Sequence, residues 1–353
     1  MKILHVVGAR PNFPKLAPVH RAGVARGVEQ VIVHTGQHYD EALSASFFDS
    51  LGIPKPAFNL TVGSGSHALQ TARIMERLEP VLLEQMPDWV VVYGDVNSTL
   101  AAAVVASKIG QRVAHVEAGL RSGDRSMPEE INRLVTDRLA SLLLTPSRDA
   151  DERLRAEGEP EEEIVFVGNV MVDTLLRAVE LSGLKRPGTI APDAPVAVTL
   201  HRPSNVDDPH RLAQIIASLR EVARTRPVIF PAHPRTSAKL AASGISTEGI
   251  DIRGPVTYEE MLSLITRSAA VVTDSGGLQE ETTVLGIPCF TLRDNTERPV
   301  TITEGTNQLV LDMSLIPGLI ASIDVSAARR KVPEGWDGQA GPRIIAALLN
   351  ASR

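Results

Sequence analysis

AVVTDSGGLQEETTVLGIPCFTL, residues 270–292, contains a β-branched run, a turn of small residues, a helical stretch and a second apolar run. A strand ending at Asp274 that passes through Ser275, Gly276 and Gly277 straight into a helix reads as the first half of a βαβ unit. Such units build parallel sheets with right-handed crossovers, whose strands are buried on both faces and read as nearly continuous hydrophobic runs.

The same alternation extends outward in both directions. PVAVTL (195–200), PVIFPA (227–232) and IDIRG (250–254) are expected strands ahead of it. Further upstream KILHVVG (2–8), QVIVHT (30–35), WVVVYG (89–94), RVAHVE (112–117), SLLLT (141–145) and IVFVG (164–168) form an earlier set, with helical stretches at 67–85, 97–109 and 128–140. Between the sets, LSGLKRPGTIAPDAP (181–195) is rich in Gly and Pro and reads as a linker. The expected class is α/β, with two Rossmann-like domains facing a cleft. The expected bounds are 1–170 and 171–340, and a C-terminal helix at 341–353 is expected to join the first domain.

Composition fits that class. The chain has 353 residues, more than one core usually serves, and is 43% hydrophobic with only 3% aromatic, so aliphatic side chains must fill the interior. A single cysteine, Cys289, excludes an internal disulfide and suits a reducing cytoplasm. The N-terminus begins as a strand, not as a leader, and no apolar run approaches a membrane span. A net charge of −6 argues against a nucleic-acid surface, so an anionic ligand must be met by local cations and backbone amides. There is no GK dipeptide for a P-loop, and the GxGxxA string at Gly63–Ala68 lies outside the first βα turn, so no nicotinamide cofactor is expected. No metal is expected either: His34 and His38 straddle Gly36, and the His115-Val-Glu117 string lacks the cysteine pair of a zinc deaminase.

Ligands of open α/β sheets bind beyond the carboxyl ends of the strands, so unusual residues there carry the information. After the first strand, GARPNFPK places Arg10 and Lys15 near a helix start, where cations could hold phosphate. WVVVYGD and RVAHVE end in Asp95 and Glu117, and MPEEINR supplies Glu129, Glu130 and Arg133 at another helix start. A glutamate there is often only a dipole partner, which accounts for one of the pair. A carboxylate at a buried strand end costs stability unless partnered or solvated, which makes Asp95 and Glu117 candidates for acid–base work. His201 and His233 follow two strands of the second set. Ser275, Gly276 and Gly277 offer close backbone approach and first-turn amides, a cradle for a diphosphate, and Glu281 sits within reach of ribose hydroxyls.

Taken together, GARPNFPK, TGQHYD, YGDVNST, HVEAGLRSGD, MPEEINR, HRPSN, PAHPRT, DSGGLQEE and DNTERPVTITEGTN resemble, in order, the motifs of non-hydrolysing UDP-N-acetylglucosamine 2-epimerases from residue 1 to about 310. The resemblance implies the glycosyltransferase-B architecture, a homodimer and polysaccharide-precursor synthesis. It puts Asp95, Glu117, Glu129 and His201 in catalytic positions. Arg10, Lys15, Arg133, His233, Ser275, Gly276, Gly277 and Glu281 fall around UDP-N-acetylglucosamine or UDP. A second, activating nucleotide-sugar site in some members would draw on Gln37, His38 and Arg73. The chain departs from the family at Asn12, where many members have glutamate, and at Pro203-Ser204 after His201-Arg202.

The C2 proton of an N-acetylhexosamine has no adjacent carbonyl to acidify it. Inversion there needs either transient oxidation or loss of the C1 leaving group. The missing dinucleotide fingerprint favours loss of UDP, giving 2-acetamidoglucal, followed by re-addition. A hydrolysing epimerase that releases N-acetylmannosamine is the nearest rival, a glycosyltransferase is the next, and a silent nucleotide-sugar sensor is disfavoured by the carboxylate cluster.

Overall fold

The apolar runs become strands buried on both sides. The computed structural model describes residues 1–37, 48, 51–185, 190–191, 193–324 and 332–352. These fall into two units, Met1–Thr174 with Glu334–Arg353, and Leu175–Pro333. One helix, Val170–Ser182, carries the chain from the first unit into the second.

In the first unit, β1 (Lys2–Val7), β2 (Glu29–His34), β3 (Phe58–Asn59), β4 (Trp89–Tyr93), β5 (Val113–Val116), β6 (Leu142–Thr145) and β7 (Ile164–Phe166) form a parallel sheet in the order β3-β2-β1-β4-β5-β6-β7. Helices α1 (Phe13–Ala25), α2 (His67–Gln85), α3 (Asn97–Lys108), α4 (Pro128–Leu139) and α5 (Arg148–Ala156) supply the crossovers, and α6 (Val170–Ser182) follows the last strand and leads into the second unit. Strand alternation sends Ile3 and Val7 into one core with Phe13 and Leu16, and Leu4 and Val6 into the other with Leu78 and Leu82. The last helix, Ala340–Ala351, adds Ile344, Ile345 and Leu348 to the first of these cores. Its start is fixed by Asp173, which accepts from the amides of Ala340 (3.1 Å) and Gly341 (2.8 Å). A side chain at Gly341 would meet the Pro18 carbonyl at 2.6 Å, so glycine lets this helix press against α1.

In the second unit, β8 (Val196–Thr199), β9 (Val228–Pro231), β10 (Ile250–Arg253), β11 (Ala270–Thr273), β12 (Cys289–Thr291) and β13 (Asn307–Leu309) form a parallel sheet in the order β10-β9-β8-β11-β12-β13. Helices α7 (Pro203–Val206), α8 (Pro209–Ala223), α9 (Pro234–Ser243), α10 (Tyr258–Arg267), α11 (Gly276–Leu285), α12 (Val300–Thr303) and α13 (Ile316–Ala321) connect them. Val196, Val198 and Phe230 pack on one face with Ile215 and Leu219, while Ala197 and Val271 pack on the other with Leu262 and Ile265. The edge strands β3 and β13 are not among the sequence expectations. They are two and three residues long and carry Asn59, Asn307 and Gln308 in place of an apolar run. Among the described residues, no helix is long and apolar enough to cross a membrane, and no group of three His, Cys, Asp or Glu side chains could hold a metal ion.

Leu348 is fully buried in the first unit. Both tryptophans of the chain, Trp89 and Trp336, belong to that unit, so tryptophan fluorescence reports its unfolding. Leu348→Ala is expected to cost that unit about 2–5 kcal/mol and to lower its fluorescence midpoint in urea. An unchanged midpoint would reject the docking of the last helix.

Candidate active site

In an open parallel sheet the crevice forms where the strand order reverses. In the first unit that point lies between β1 and β4. Asn12 closes it. Its side-chain oxygen accepts from the amides of Gly8 (3.1 Å) and Ala9 (3.0 Å), and its amide donates to the Tyr93 carbonyl (2.9 Å), so one buried side chain ties the ends of both strands. Lys15, in the first turn of α1, donates to the Glu117 carboxylate, and both are buried. A side chain at Gly94 would meet the Lys15 ammonium at 2.6 Å and Glu117 Oε2 at 3.3 Å, so glycine makes room for the pair. Glu117 itself has φ +75°, a left-handed conformation that a branched or long side chain adopts only at a cost of about 1–3 kcal/mol.

The neighbouring carboxylates are also ordered. The Asp95 carboxylate pairs with Arg133, and its carbonyl accepts from Asn132 (2.8 Å). The other side of Arg133 donates to Glu130 through Nε (3.0 Å) and Nη2 (2.7 Å). Glu130 also accepts from the amides of Ser122 and Gly123, each at 2.9 Å. Burial works to raise its pKa, but those amides and Arg133 outweigh it and hold it below the ordinary range. Glu129, half-buried at the start of α4, makes no ion pair or side-chain hydrogen bond among the described residues. Behind them His115 is fully buried, with Nδ1 2.5 Å from Asp137 and Nε2 2.8 Å from the Gly94 carbonyl. Arg121 pairs with the same Asp137 at 2.7 Å, which braces the turn that presents Asp95.

In the second unit the order reverses between β8 and β11. Asp274, at the end of β11, is fully buried and accepts from the residues that follow β8. Its donors are the amides of His201 (3.1 Å) and Arg202 (3.0 Å), the Asn205 side chain (3.0 Å) and His201 Nδ1 (2.9 Å). Burial pushes its pKa up, but His201, Asn205 and the Arg202 amide outweigh that and hold it below the usual carboxylate range. Ser275 stands at the N-cap of α11, yet its side chain makes no capping hydrogen bond. The paired glycines differ: a side chain at Gly276 would meet Arg298 Nη1 at 2.8 Å, whereas at Gly277 it would meet nothing within 4 Å. A side chain at Gly276 would push the Arg298 guanidinium aside, and one at Gly277 would displace nothing.

Around this turn, Arg298 pairs with Glu280 (2.7 Å), and Arg293 with Glu297 (2.9 Å). Burial acts to raise Glu297, but the Arg293 and Arg298 guanidinium groups bring it down to about 2. Glu281 accepts from the Tyr258 hydroxyl at 3.1 Å. Burial, reinforced by the Glu280 charge and opposed by the Tyr258 hydrogen bond, pushes Glu281 up to about 7.

Several expectations change in character against this geometry. Lys15 and Arg133, read as cations for a ligand, are buried and engaged by Glu117 and by Asp95 and Glu130 respectively. Arg10 is exposed on the turn after β1. His233 is exposed and caps α9, accepting from the Arg235 amide at Nδ1 (3.3 Å). Gln37 is buried, with its side-chain oxygen accepting from the Ser98 hydroxyl (2.7 Å) and amide (3.1 Å). Arg73 is half-buried on α2, and His38 lies outside the described residues. Asp137 and Tyr258 were not singled out from the sequence, since their partners lie far along the chain; Asn12 was noted only as a departure from the family and His115 only as part of a metal motif set aside. Asp274 was noted only as a strand end.

Removing one partner of a buried ion pair typically costs about 3–5 kcal/mol. Lys15→Met should destabilise the first unit by that order in fluorescence-monitored urea unfolding, and Lys15→Met with Glu117→Gln should recover part of the loss. Strict additivity in the double variant would show that the two side chains do not interact.

Comparison with known proteins places this geometry among relatives. The family model for UDP-N-acetylglucosamine 2-epimerase matches residues 21–349. A UDP-N-acetylglucosamine 2-epimerase of Methanocaldococcus jannaschii is 41% identical, with 99% of each chain covered. A UDP-2,3-diacetamido-2,3-dideoxy-D-glucuronate 2-epimerase of Pseudomonas aeruginosa is 44% identical over 88% of each. The crystal structure of the M. jannaschii UDP-GlcNAc 2-epimerase in complex with UDP-GlcNAc and UDP superposes with a TM-score of 0.87 at 40% identity, covering 99% of this chain and 100% of that one. The two units are thus the Rossmann-like pair of the glycosyltransferase-B architecture, and the chain belongs to the UDP-N-acetylglucosamine 2-epimerase family.

Proposed function

We propose that the chain reversibly inverts C2 of UDP-N-acetylglucosamine, without net hydrolysis, by eliminating and re-adding UDP through 2-acetamidoglucal. The observation that carries the reading is the turn at Ser275–Gly277. Its serine makes no capping bond, and its second glycine faces open space, which supports binding of a diphosphate at the first-turn amides of α11. Glu281, five residues beyond the helix start, is assigned the ribose hydroxyls; Arg10 and His233 are assigned the diphosphate.

Elimination breaks the C1–O bond, leaves its electron pair on the UDP oxygen and gives the C2 proton to a carboxylate. Re-addition protonates C2 from the opposite face, so two differently placed groups are required. Asp95 and Glu129 are assigned this pair. Glu117, held by Lys15, tunes them, and Arg133 orients Asp95. A second reading, in which the sugar is a 2,3-diacetamido uronate, is favoured by the 44% identity to the P. aeruginosa relative.

Incubation with either nucleotide sugar, followed by NMR, separates these readings. UDP-N-acetylglucosamine in D2O should yield the manno epimer with deuterium at C2, and isotope on the bridging C1 oxygen should scramble into the diphosphate. Free N-acetylmannosamine with UDP would instead identify a hydrolysing enzyme, and epimerisation without C2 exchange would contradict elimination. Asp95→Asn should slow turnover by roughly 10²–10⁴ while the protein still binds UDP.

Gly277→Val should leave thermal unfolding of the second unit intact and abolish UDP binding in calorimetry; unchanged affinity in the folded variant removes the cradle. A carboxylate accepts from ribose hydroxyls better than the neutral acid does. UDP affinity should therefore rise with pH through about 7 as Glu281 ionises, more steeply than in Glu281→Gln. Identical pH profiles in the two proteins would take Glu281 out of the nucleotide site.

A further inference from the structure

The two histidines that follow strands in the second unit are held through the same ring atom by opposite chemistry. At His201, Nδ1 lies 2.9 Å from an Asp274 carboxylate that can only accept when ionised, so Nδ1 carries the proton. At His233, Nδ1 accepts from the Arg235 amide, so Nδ1 is bare and the neutral ring carries its proton on Nε2. His201 therefore turns a lone pair outward in its neutral state, and His233 turns an N–H outward.

The consequence is an asymmetry in what each ring can do. Taking a proton on Nε2 costs His201 none of its contacts, because the Asp274 bond is the same in both states. Taking a second proton on Nδ1 would break the helix cap of His233. Asp274 also holds the His201 backbone amide (3.1 Å), so one carboxylate grips the residue at main chain and ring and fixes its direction. Asp274 is fully buried while the His201 side chain is 55% exposed, an orienting acid behind an accessible base.

We infer that Asp274 is a positioning residue that sets the tautomer and direction of His201, making His201, and not His233, the histidine that exchanges a proton during turnover. The inference rests on the proposed epimerisation for the step it serves. When the C1–O bond breaks, its electron pair stays on the UDP oxygen, the Nε2 proton of protonated His201 passes to that oxygen, and the C2 proton goes to a carboxylate base. Re-addition returns one proton from the UDP oxygen to Nε2 as the C1–O bond re-forms, while a second carboxylic acid protonates C2 from the opposite face.

Long-range ¹H–¹⁵N correlation spectra of the whole protein labelled at histidine read the tautomers directly, with His201→Asn and His233→Asn giving the assignments. At a pH where both rings are neutral, His201 should show a protonated Nδ1 and bare Nε2, and His233 the reverse. Asp274→Asn should abolish the single tautomer of His201 and lower kcat by roughly 10²–10⁴ while UDP affinity stays within about threefold. Asn205→Ala, which loosens the same clamp without touching the ring, should keep the His201 tautomer. An Nε2–H tautomer at His201 in the unaltered protein overturns the inference, as does a folded Asp274→Asn variant with undiminished kcat. If the unaltered protein does not epimerise the sugar, the proton-exchange role falls with the proposed function, while the tautomers still decide what Asp274 does.

Discussion

Two parallel strands that part at the reversal of a sheet leave main-chain amides and carbonyls with no strand to pair with, in a place too enclosed for water to serve them all. Leaving such groups unpaired costs a few kcal/mol each. Each unit answers with one short polar side chain. Asn12 both donates and accepts, and so ties β1 to β4 without a charge. Asp274 can only accept, and so gathers donors from the segment after β8 and draws a histidine ring in with them. The difference matters for chemistry: the neutral clamp sits beside the carboxylates of the first unit, where another negative charge would compete for Lys15 and Arg133.

The strands were legible because parallel sheets bury both faces, and their aliphatic runs stand out against the charged helices between them. Strand order was not legible, since nothing local records that β4 lies beside β1 and β2 lies on its far side. Asp95 and Glu117 stand out in the sequence because a carboxylate ending an apolar run is conspicuous. Their partners do not: Lys15 beside a helix start looks the same whether it awaits a phosphate or faces a glutamate far along the chain. Glu129 and Glu130 are likewise indistinguishable in the sequence. Successive residues on a helix point about 100° apart, and only the fold reveals that the loop at Ser122–Gly123 lies on the side of Glu130.

The glycines show how space separates two explanations that composition merges. Gly94 is small because the buried Lys15–Glu117 pair occupies the room and its backbone is left-handed, whereas Gly276 sits against the tip of an arginine of the same unit. Gly277 is small with nothing beside it within 4 Å, so packing within the unit does not account for its size. Glu117 is the converse case, a long side chain kept where the backbone prefers glycine, a strain that its ion pair with Lys15 helps to hold in place.

The return of residues 334–352 to the first unit has a consequence for how the protein is made. The ribosome delivers Leu175–Pro333 in full before it delivers the helix that carries Ile344, Ile345 and Leu348. The second unit can therefore close its core during translation. The first, although begun earlier, waits with part of its apolar surface uncovered. Chaperone occupancy and proteolytic sensitivity of nascent chains should accordingly concentrate on the N-terminal half until the last helix has emerged, reversing the usual order in which earlier sequence matures first.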